Sequence, residues 1–258
     1  MTPPRTMTKA LVPTMGALHA GHLALVDRAR ELADDVVVSI FVNPTQFGAG
    51  EDFDRYPRTL DADRALLGDR ATVFAPTVDK VYPPDNPPVV ISAGPLGAVW
   101  EGASRPGHFD GVLTVVNRLF DLVQPVVAVF GEKDWQQLAL IRAMAATRHP
   151  EIQIVGVPTV REPDGLAMSS RNRYLSPAER ETAALIPAAL RDIAAAGGTD
   201  ESIVRAAAKL DHVGIVVDYL DVVDPVTLKP TRGNGPARVI VAAHVGTTRL
   251  IDNLSVRD

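Results

Sequence analysis

The 258-residue sequence contains no cysteine, no excess of basic residues and no long apolar segment. Without cysteine, the chain has neither disulfide bonds nor thiolate nucleophiles. The formal net charge of −5 provides no overall basic surface for nucleic acid. No run of about 18 apolar residues occurs, and residues 1–9 lack the apolar core of a secretory signal. We therefore expect a cytoplasmic protein that binds neither nucleic acid nor membranes.

The two common glycine-rich nucleotide-binding fingerprints are also absent. The sequence contains neither the GxxxxGK[ST] pattern of P-loop proteins nor the GxGxxG pattern of dinucleotide-binding domains. A nucleotide would therefore need a different set of phosphate-binding groups. At this length roughly 70–75% of the unfolded chain's surface can be buried, which suits one large domain and a smaller one.

The stretch that says most about function is residues 13–22. An apolar run before it predicts a strand, and apolar residues at helical spacing after it predict a helix. His19 and His22 lie at the predicted helix start, on one face of the first turn. The N–H groups of a helix start favour anions, so two added imidazoles suit a phosphate. A capping role and an incomplete metal site are alternatives, because zinc requires three or four protein ligands.

Two further buried strands are predicted to end in polar side chains. The β-branched run at residues 36–42 precedes Asn43 and Gln46, and the apolar run at residues 126–130 precedes Lys133. Ligands bind at the carboxyl ends of the strands in open parallel sheets. These side chains are therefore candidate ligand contacts at one edge of the sheet.

Asn43 and Lys133 each have a structural alternative, and so do the nearby Asp134 and Gln137. Asn43 begins an Asn-Pro dipeptide, which commonly starts a turn. Asp134 and Gln137 have the spacing of a capping box. Lys133 beside a helix start is placed to meet an anion, and a solvated lysine is its alternative.

A dense cluster of hydrogen-bond donors follows the last predicted strand of the first half. It consists of two hydroxyls and two guanidinium groups, Ser169, Ser170, Arg171 and Arg173. Arginine forks match phosphate oxygens in pairs, so the cluster suits a phosphate. A polar surface loop is the alternative. Ser176, followed by proline and then glutamate, predicts the start of the next helix.

The order of the predicted elements indicates the fold class. Strands alternate with helices over residues 1–159, which predicts an α/β, Rossmann-like parallel sheet. Residues 160–258 combine alanine-rich helices with alternating strands and a short strand after Gly246, which predicts a smaller α+β domain. That domain could close over the sheet edge as a lid. The charge-rich residues 52–68 predict a solvated loop and helix.

Four segments, taken in order, carry a family resemblance. Residues 19–22 form an HxGH signature of the nucleotidyltransferase superfamily, and residues 168–171 resemble its KMSKS loop. Residues 13–19, 41–47, 130–134 and 165–175 together resemble the pantoate–β-alanine ligase family. Any one of these motifs is of limited specificity, whereas four in order are specific. Position 20 is alanine where many relatives have glutamate, but it is the variable position of HxGH.

The resemblance implies a ligase that forms AMP from ATP. Such an enzyme activates pantoate as pantoyl adenylate and then transfers the acyl group to β-alanine. It implies Mg2+ with the ATP, a homodimer, and no partner beyond the small-molecule substrates. The first domain would bind ATP and pantoate, and the second would act as the lid.

The resemblance also implies roles for individual residues. The expected catalytic residues are His22, His19, Lys133 and Arg171. The expected ATP-binding residues are Met15, Gly16, Ala17, Leu18, His19, Ala20, Gly21, His22, Gly131, Glu132, Lys133, Asp134, Val160, Met168, Ser169, Ser170 and Arg171. Those expected to bind pantoate and β-alanine are Gln46, Gln137 and Asn43. The sequence identifies no metal ligands.

Two other functions stay open at this point. One is another HxGH adenylyltransferase, such as one acting on phosphopantetheine or nicotinamide mononucleotide. Residues 43–47 and the second domain argue against it. The other is a non-catalytic nucleotide-binding protein. A binding module has no need for both histidines together with Lys133 and Arg171, which argues against that function.

Overall fold

A computed structural model describes residues 7–257 of the chain. The chain divides into two compact units, Met1–Glu132 with Leu140–Pro158, and Lys133–Ala139 with Thr159–Asp258. Within the described range, no helix combines the length and apolar character needed to cross a membrane. Most of the segment in which no secretory signal is expected, residues 1–6, lies outside the described residues.

The first unit is built on a five-stranded sheet in the order β3-β2-β1-β4-β5, and every neighbouring pair is parallel. The strands are β1 (Lys9–Thr14), β2 (Asp35–Ile40), β3 (Thr72–Phe74), β4 (Val127–Gly131) and β5 (Gln153–Val157). The helices are α1 (Ala20–Leu32), α2 (Leu60–Leu67), α3 (Val78–Val81), α4 (Glu101–Ser104), α5 (His108–Val123) and α6 (Trp135–Arg148), whose first turn belongs to the second unit. The predicted α/β class with a Rossmann-like parallel sheet is confirmed.

The centre of this sheet is buried because its strands carry apolar side chains on both faces. Ala10, Leu11 and Val12 of β1 are all inaccessible to solvent. One face of β1, β2 and β4 packs with α1 in a single apolar cluster. Strand order reverses between β1 and β4, and a crevice forms at such a point, beyond the carboxyl ends of the strands. The residues that directly follow these strands are therefore candidates for ligand contact.

The second unit combines helices with an antiparallel sheet in the order β6-β7-β8. Its strands are β6 (Val216–Val223), β7 (Ala237–Val245) and β8 (Thr248–Arg257). Its helices after the first turn of α6 are α7 (Pro177–Ala183), α8 (Leu185–Ala195) and α9 (Asp200–His212). Ser176 and Glu179 form a capping box at the start of α7, as predicted. The smaller α+β unit is confirmed.

One element of the second unit is longer than the sequence predicts. A short strand is expected after Gly246, whereas β8 has 10 residues and pairs along its length with β7. Gly246 has φ +58, and the two strands are joined through it by a tight turn. Polar residues such as Asp252 and Asn253 interrupt the apolar alternation, which is why the pattern stops too early.

Candidate active site

The two histidines of the HxGH segment cap helix α1 reciprocally. His19 is the N-cap residue, and its Nδ1 accepts a hydrogen bond from the N–H of Gly21 at 3.1 Å. His22 Nδ1 accepts a hydrogen bond from the N–H of His19 at 3.2 Å. The two ring centroids are 4.1 Å apart. The capping alternative is therefore realised by both rings.

The caps also determine what the rings offer to a ligand. An Nδ1 atom that accepts a hydrogen bond carries no proton, so in a neutral imidazole the proton is on Nε2. His19 and His22 thus both carry the ring proton on Nε2, on the side of the ring opposite the cap. Capping and phosphate binding use different nitrogens of the same ring, so both roles are compatible.

The loop before α1 depends on a buried carboxylate. Asp63 Oδ2 accepts a hydrogen bond from the N–H of Ala17 at 3.1 Å, and Oδ1 accepts one from Leu18 at 2.8 Å. The Asp63 side chain also accepts a hydrogen bond from the Thr59 hydroxyl at 3.2 Å. It is only 2% exposed, so the expectation that residues 52–68 are solvated is wrong for Asp63.

The conformation of this loop requires small residues. Gly16 has φ +86 and Ala17 has φ +51, both in the left-handed region. A Cβ at Gly16 would lie 3.0 Å from Asp63 Oδ2 and 3.1 Å from Ile40 Cγ2. The loop is therefore held in one conformation that leads directly into the two caps.

Asn43 and Gln46 lie together after β2 and are both buried. Asn43 caps a single 3-10 turn, Pro44–Gln46, by accepting a hydrogen bond from the N–H of Thr45 at 3.3 Å. Its amide nitrogen donates to Gln46 Oε1 at 3.1 Å, and Gln46 Nε2 is 3.1 Å from Met15 Sδ. Tyr82 donates its hydroxyl proton to Asn43 Oδ1 at 2.7 Å. Asn43 therefore has the structural role left open by the sequence, and it orients Gln46.

A residue of α5 makes a hydrogen bond to the main chain of the same turn. His108 Nδ1 donates to the carbonyl oxygen of Gln46 at 2.8 Å. Its Nε2 accepts a hydrogen bond from Arg105 at 3.0 Å. Arg105 in turn pairs with Glu51 at 2.6 Å and approaches Glu101 at 3.5 Å. His108 is thus neutral, with its proton on Nδ1.

The surroundings of this network shift two pKa values. Burial, and next the charge of Arg105, lower the pKa of His108 to about 4. Burial alone would raise the pKa of Glu51, but its hydrogen bond and charge interaction with Arg105 lower the pKa overall. Both shifts favour the protonation states that the hydrogen bonds require.

The second unit contains several of the predicted ATP-binding residues. Lys133 and Asp134 lie in a 3-10 turn directly after β4, with Lys133 Nζ 3.7 Å from Asp134 Oδ1. Asn253 donates to the carbonyl oxygen of Lys133 at 2.8 Å. Gln137 lies in the first turn of α6 and is half-buried. Gly131 and Glu132 belong to the first unit, at the end of β4.

A short antiparallel hairpin brings Val160 and Met168 together. The N–H of Met168 donates to the carbonyl oxygen of Val160 at 2.9 Å. The Ser169 hydroxyl then accepts a hydrogen bond from the N–H of Arg171 at 3.2 Å and caps the 3-10 turn Ser170–Tyr174. The donor cluster is therefore an ordered turn rather than an irregular surface loop.

Within residues 7–257 there is no group of three or more histidine, aspartate or glutamate side chains that could hold a metal ion. His19 and His22 do not form part of such a group. Among the described residues the pair therefore lacks the further ligands that a zinc site requires. A magnesium ion requires fewer protein ligands, because it usually retains several water molecules and is bound by substrate phosphates with one or two carboxylates.

The structure groups the predicted residues by unit. The first unit brings together Met15, the two capping histidines and Gln46, and the second brings together Val160 with the 168–171 turn. Sequence reasoning missed Asp63, His108 and Asn253. A histidine three residues after Arg105 is visible in the sequence, but nothing local distinguishes Asp63 or Asn253.

Comparison with known proteins gives a consistent result. The family described as Pantoate-beta-alanine ligase matches residues 4–255. The chain is 56% identical to the pantothenate synthetase of Nocardia farcinica, over 96% of this chain and 79% of that protein. It is 54% identical to the pantothenate synthetase of Salinispora arenicola, over 98% of this chain and 92% of that protein.

Solved structures are similar over the whole length. A pantothenate synthetase from Thermus thermophilus has 50% identity and a TM-score of 0.92, covering 99% of this chain and 95% of that one. A pantoate-beta-alanine ligase from Francisella tularensis, complexed with beta-gamma ATP and beta-alanine, has 35% identity and a TM-score of 0.82. That match covers 97% of this chain and 90% of the other.

Proposed function

Because this chain belongs to the pantoate–β-alanine ligase family, we propose that it joins pantoate to β-alanine at the expense of ATP. The products are pantothenate, AMP and pyrophosphate. The observation that carries the proposal is the match to ligases over nearly the whole chain. The two Nε2–H donors of His19 and His22 support it independently, because they suit the phosphates of a nucleotide.

The reaction takes place in two steps. A carboxylate oxygen of pantoate attacks the α-phosphorus of ATP, and the bond from this phosphorus to the pyrophosphate oxygen breaks. The neutral amine of β-alanine then attacks the acyl carbon of pantoyl adenylate. The bond from that carbon to the AMP oxygen breaks, and the amine releases a proton. Charge develops on phosphate oxygens in both steps, so the protein contributes mainly positioning and preorganised donors.

In the first unit, the ATP-binding set is residues 15–22 with Gly131 and Glu132. His19 and His22 donate hydrogen bonds through Nε2 to phosphate oxygens as neutral groups, and His22 occupies the position to which the family resemblance assigns the proton donor. The caps support these roles because they fix the tautomer and the ring orientation. Gly16 and Ala17 contribute by keeping the loop close to the helix start.

In the second unit, the ATP-binding set is Lys133, Asp134, Val160 and residues 168–171. Lys133 neutralises charge on the phosphates, and Arg171 with the two serines holds the leaving pyrophosphate. The ordered turn at Ser169 supports this assignment, because donors on a fixed turn need little rearrangement when the transition state forms.

Gln46 and Gln137 bind pantoate, and Gln46 also lies near β-alanine. An amide can hydrogen-bond the hydroxyls and carboxylate of a small acid without adding charge. For Asn43 the role is narrower than the sequence suggests. Its amide already bonds to Gln46 and Thr45, so it acts on the substrate by orienting Gln46.

Three further properties belong to the proposal. Mg2+ arrives with ATP and is held mainly by phosphate oxygens, which fits a chain whose described residues contain no cluster of metal ligands. The protein functions in the cytoplasm, and it is a homodimer. Family membership supports both of these, and sedimentation velocity tests the second directly.

The test is an AMP-release assay with ATP and Mg2+, run with pantoate alone, β-alanine alone, and both. AMP formation that requires both acids, together with pyrophosphate exchange that requires only pantoate, is the expected result. Exchange with a phosphorylated acceptor in place of pantoate would instead indicate another adenylyltransferase. ATP binding without turnover under any of these conditions would indicate a nucleotide-binding protein that is not a ligase.

A further inference from the structure

Two adjacent polar residues in strand β8 are almost completely buried. Asp252 is 4% exposed and Asn253 is 3% exposed. Burying a carboxylate and an amide is unfavourable unless both are hydrogen-bonded, so their partners explain why the protein tolerates them there. The N–H of Asn253 donates to Asp252 Oδ1 at 2.7 Å, which links the two residues. Successive side chains of a strand point to opposite faces, so each one reaches a different neighbour.

Asn253 holds the turn that contains Lys133. Its Nδ2 donates to the carbonyl oxygen of Lys133 at 2.8 Å, across 120 residues of sequence. Its Oδ1 accepts a hydrogen bond from Arg238 Nη1. The Arg238 guanidinium carbon lies 3.6 Å from the ring centroid of Trp135, two residues after Lys133. Asn253 therefore holds the Lys133 turn directly, and Arg238 packs on the first residue of α6, which follows that turn.

Asp252 holds the hairpin that leads into residues 168–171. Its two oxygens accept hydrogen bonds from Arg161 at 2.7 and 3.0 Å, which is a bidentate ion pair. Arg161 also donates to the carbonyl oxygen of Gly165 at 3.0 Å, at the tip of the hairpin. The hairpin ends at Ala167, which bridges back to Arg161, and the next residues are the predicted pyrophosphate-binding turn.

We infer that Asp252 and Asn253 are positioning residues for ATP binding. Through these two residues, one short segment of β8 fixes the positions of both the Lys133 turn and the 168–171 turn. The inference rests on the proposed role of those two turns as ATP-binding. Neither Asp252 nor Asn253 needs to touch the nucleotide. Because the pair is linked through the main chain of a paired strand, a change at either residue displaces donors aimed at the phosphates.

The chain offers a matched control for this pair. Arg249 of β8 donates to Asp218 of β6 at 2.7 Å, which is another arginine–aspartate ion pair on the same sheet. The partners of Asp218 in the structure are Arg249 and, at 3.5 Å, His244. Asp218→Asn therefore weakens an ion pair of the sheet without changing the support of either turn.

The experiment measures ATP affinity by calorimetry in wild type, Asn253→Asp, Asp252→Asn and Asp218→Asn. Asn253→Asp keeps an oxygen that accepts a hydrogen bond from Arg238. Its second oxygen replaces the amide group that donates to the Lys133 carbonyl oxygen, and the two oxygens repel each other. We expect Kd for ATP to rise at least 10-fold in the first two variants and less than 2-fold in Asp218→Asn. Affinities within 2-fold of wild type in both β8 variants overturn the inference. If Asp252→Asn fails to fold, Arg161→Lys tests the same contact with the charge retained.

Kinetics separate positioning from general loss of structure. In the ligase assay, Asn253→Asp is expected to raise KM for ATP or lower kcat by at least 10-fold, while KM for pantoate and for β-alanine changes less than 3-fold. In a Lys133→Ala background, Asn253→Asp should add less than a 3-fold loss, because the ammonium group that the turn positions is already absent. Equal losses in both backgrounds contradict an action through Lys133. The calorimetric result stands whether or not wild type makes pantothenate, so failure of the proposed function is recognised separately.

Discussion

His19 Nδ1 accepts a hydrogen bond from the main-chain N–H of Gly21 at 3.1 Å, and this contact both starts a helix and fixes the tautomer of the ring. A residue that caps a helix is usually replaceable by asparagine, which is among the best N-caps. Asparagine places an oxygen where Nδ1 lies but has no counterpart of Nε2–H. One substitution can therefore separate the capping role of His19 from its proposed contact with phosphate.

We predict that His19→Asn retains its thermal midpoint and loses turnover by roughly 100-fold, the scale for removing one preorganised donor. Thermal unfolding and the AMP-release assay measure the two effects on the same sample. Thr199→Asn, at the N-cap of α9, is the matched control and should change neither. Normal turnover in His19→Asn would show that the ring is only a cap.

The second prediction concerns Asp63, which accepts hydrogen bonds from Ala17 and Leu18. In Asp63→Asn, the side-chain amide has one oxygen, so it can accept a hydrogen bond from only one of the two N–H groups. Its own NH2 group then faces the other N–H group, and two donors repel each other. Hydrogen bonds to charged groups contribute about 1.5–3 kcal/mol each. We expect kcat/KM for ATP to fall by roughly 10-fold or more, with a lower thermal midpoint.

Asp61→Asn is the control for Asp63, since it lies on the same helix with a fully exposed side chain, 3.8 Å from Arg64. Steady-state kinetics with ATP varied at saturating pantoate and β-alanine provide the measurement. A loss confined to stability, with unchanged kinetics in Asp63→Asn, would restrict Asp63 to folding.

The third prediction concerns pH. Burial and the nearby Arg105 lower the pKa of His108 to about 4, whereas in the unfolded chain it lies near 6.5. Between these values the unfolded chain binds more protons than the folded one, so stability rises with pH across this window. The charged groups around His108 are Arg105, Glu101 and Glu51. Acidification from pH 7 to pH 4 should cost about 3 kcal/mol through His108 alone.

Denaturant titrations at several pH values measure this slope. His108→Gln removes the titrating group, so its stability should depend less steeply on pH between 4 and 6.5. His212→Gln changes an exposed histidine at the end of α9 and should keep the wild-type slope. Equal slopes in wild type and His108→Gln would exclude His108 as the source.

The fourth prediction concerns Lys133, which follows β4 and is 20% exposed at its side chain. Lys133→Ala should fold normally and lose turnover by roughly 100-fold or more, because one preorganised charge partner of the phosphates is removed. Lys80→Ala removes an exposed lysine from α3 and should leave turnover unchanged. Near-normal activity of Lys133→Ala in the AMP-release assay would remove this residue from the site.

The sequence predicts the parts of this protein that depend on neighbours in the chain. The apolar runs of β1, β2 and β4 indicate buried parallel strands, and the Ser176–Glu179 spacing predicts a capping box that the structure contains. The HxGH spacing places both rings on the first turn of a helix because three residues make nearly one turn.

The parts that the sequence does not predict depend on distant partners. Asp63 lies among exposed charged residues in the sequence, and the two N–H groups that donate hydrogen bonds to it belong to residues 45 and 46 positions earlier. Asn253 lies in a strand whose polar residues break the alternation, and its partner Lys133 is 120 positions away. The hydrophobic periodicity of either segment does not predict such contacts, because they depend on how whole helices and strands pack together.

The hydrogen bond from Asn43 to Gln46 fixes the orientation of the Gln46 side-chain amide. An amide has an oxygen end and a nitrogen end, and rotation by half a turn exchanges them. Asn43 donates to Gln46 Oε1 at 3.1 Å, which anchors the oxygen end and directs the nitrogen end towards Met15. A carboxylate or hydroxyl oxygen is compatible with that nitrogen, whereas an ammonium group is repelled by it. Under the proposed role of Gln46, the buried amide pair therefore offers its nitrogen end to an oxygen of a carboxylate or hydroxyl group.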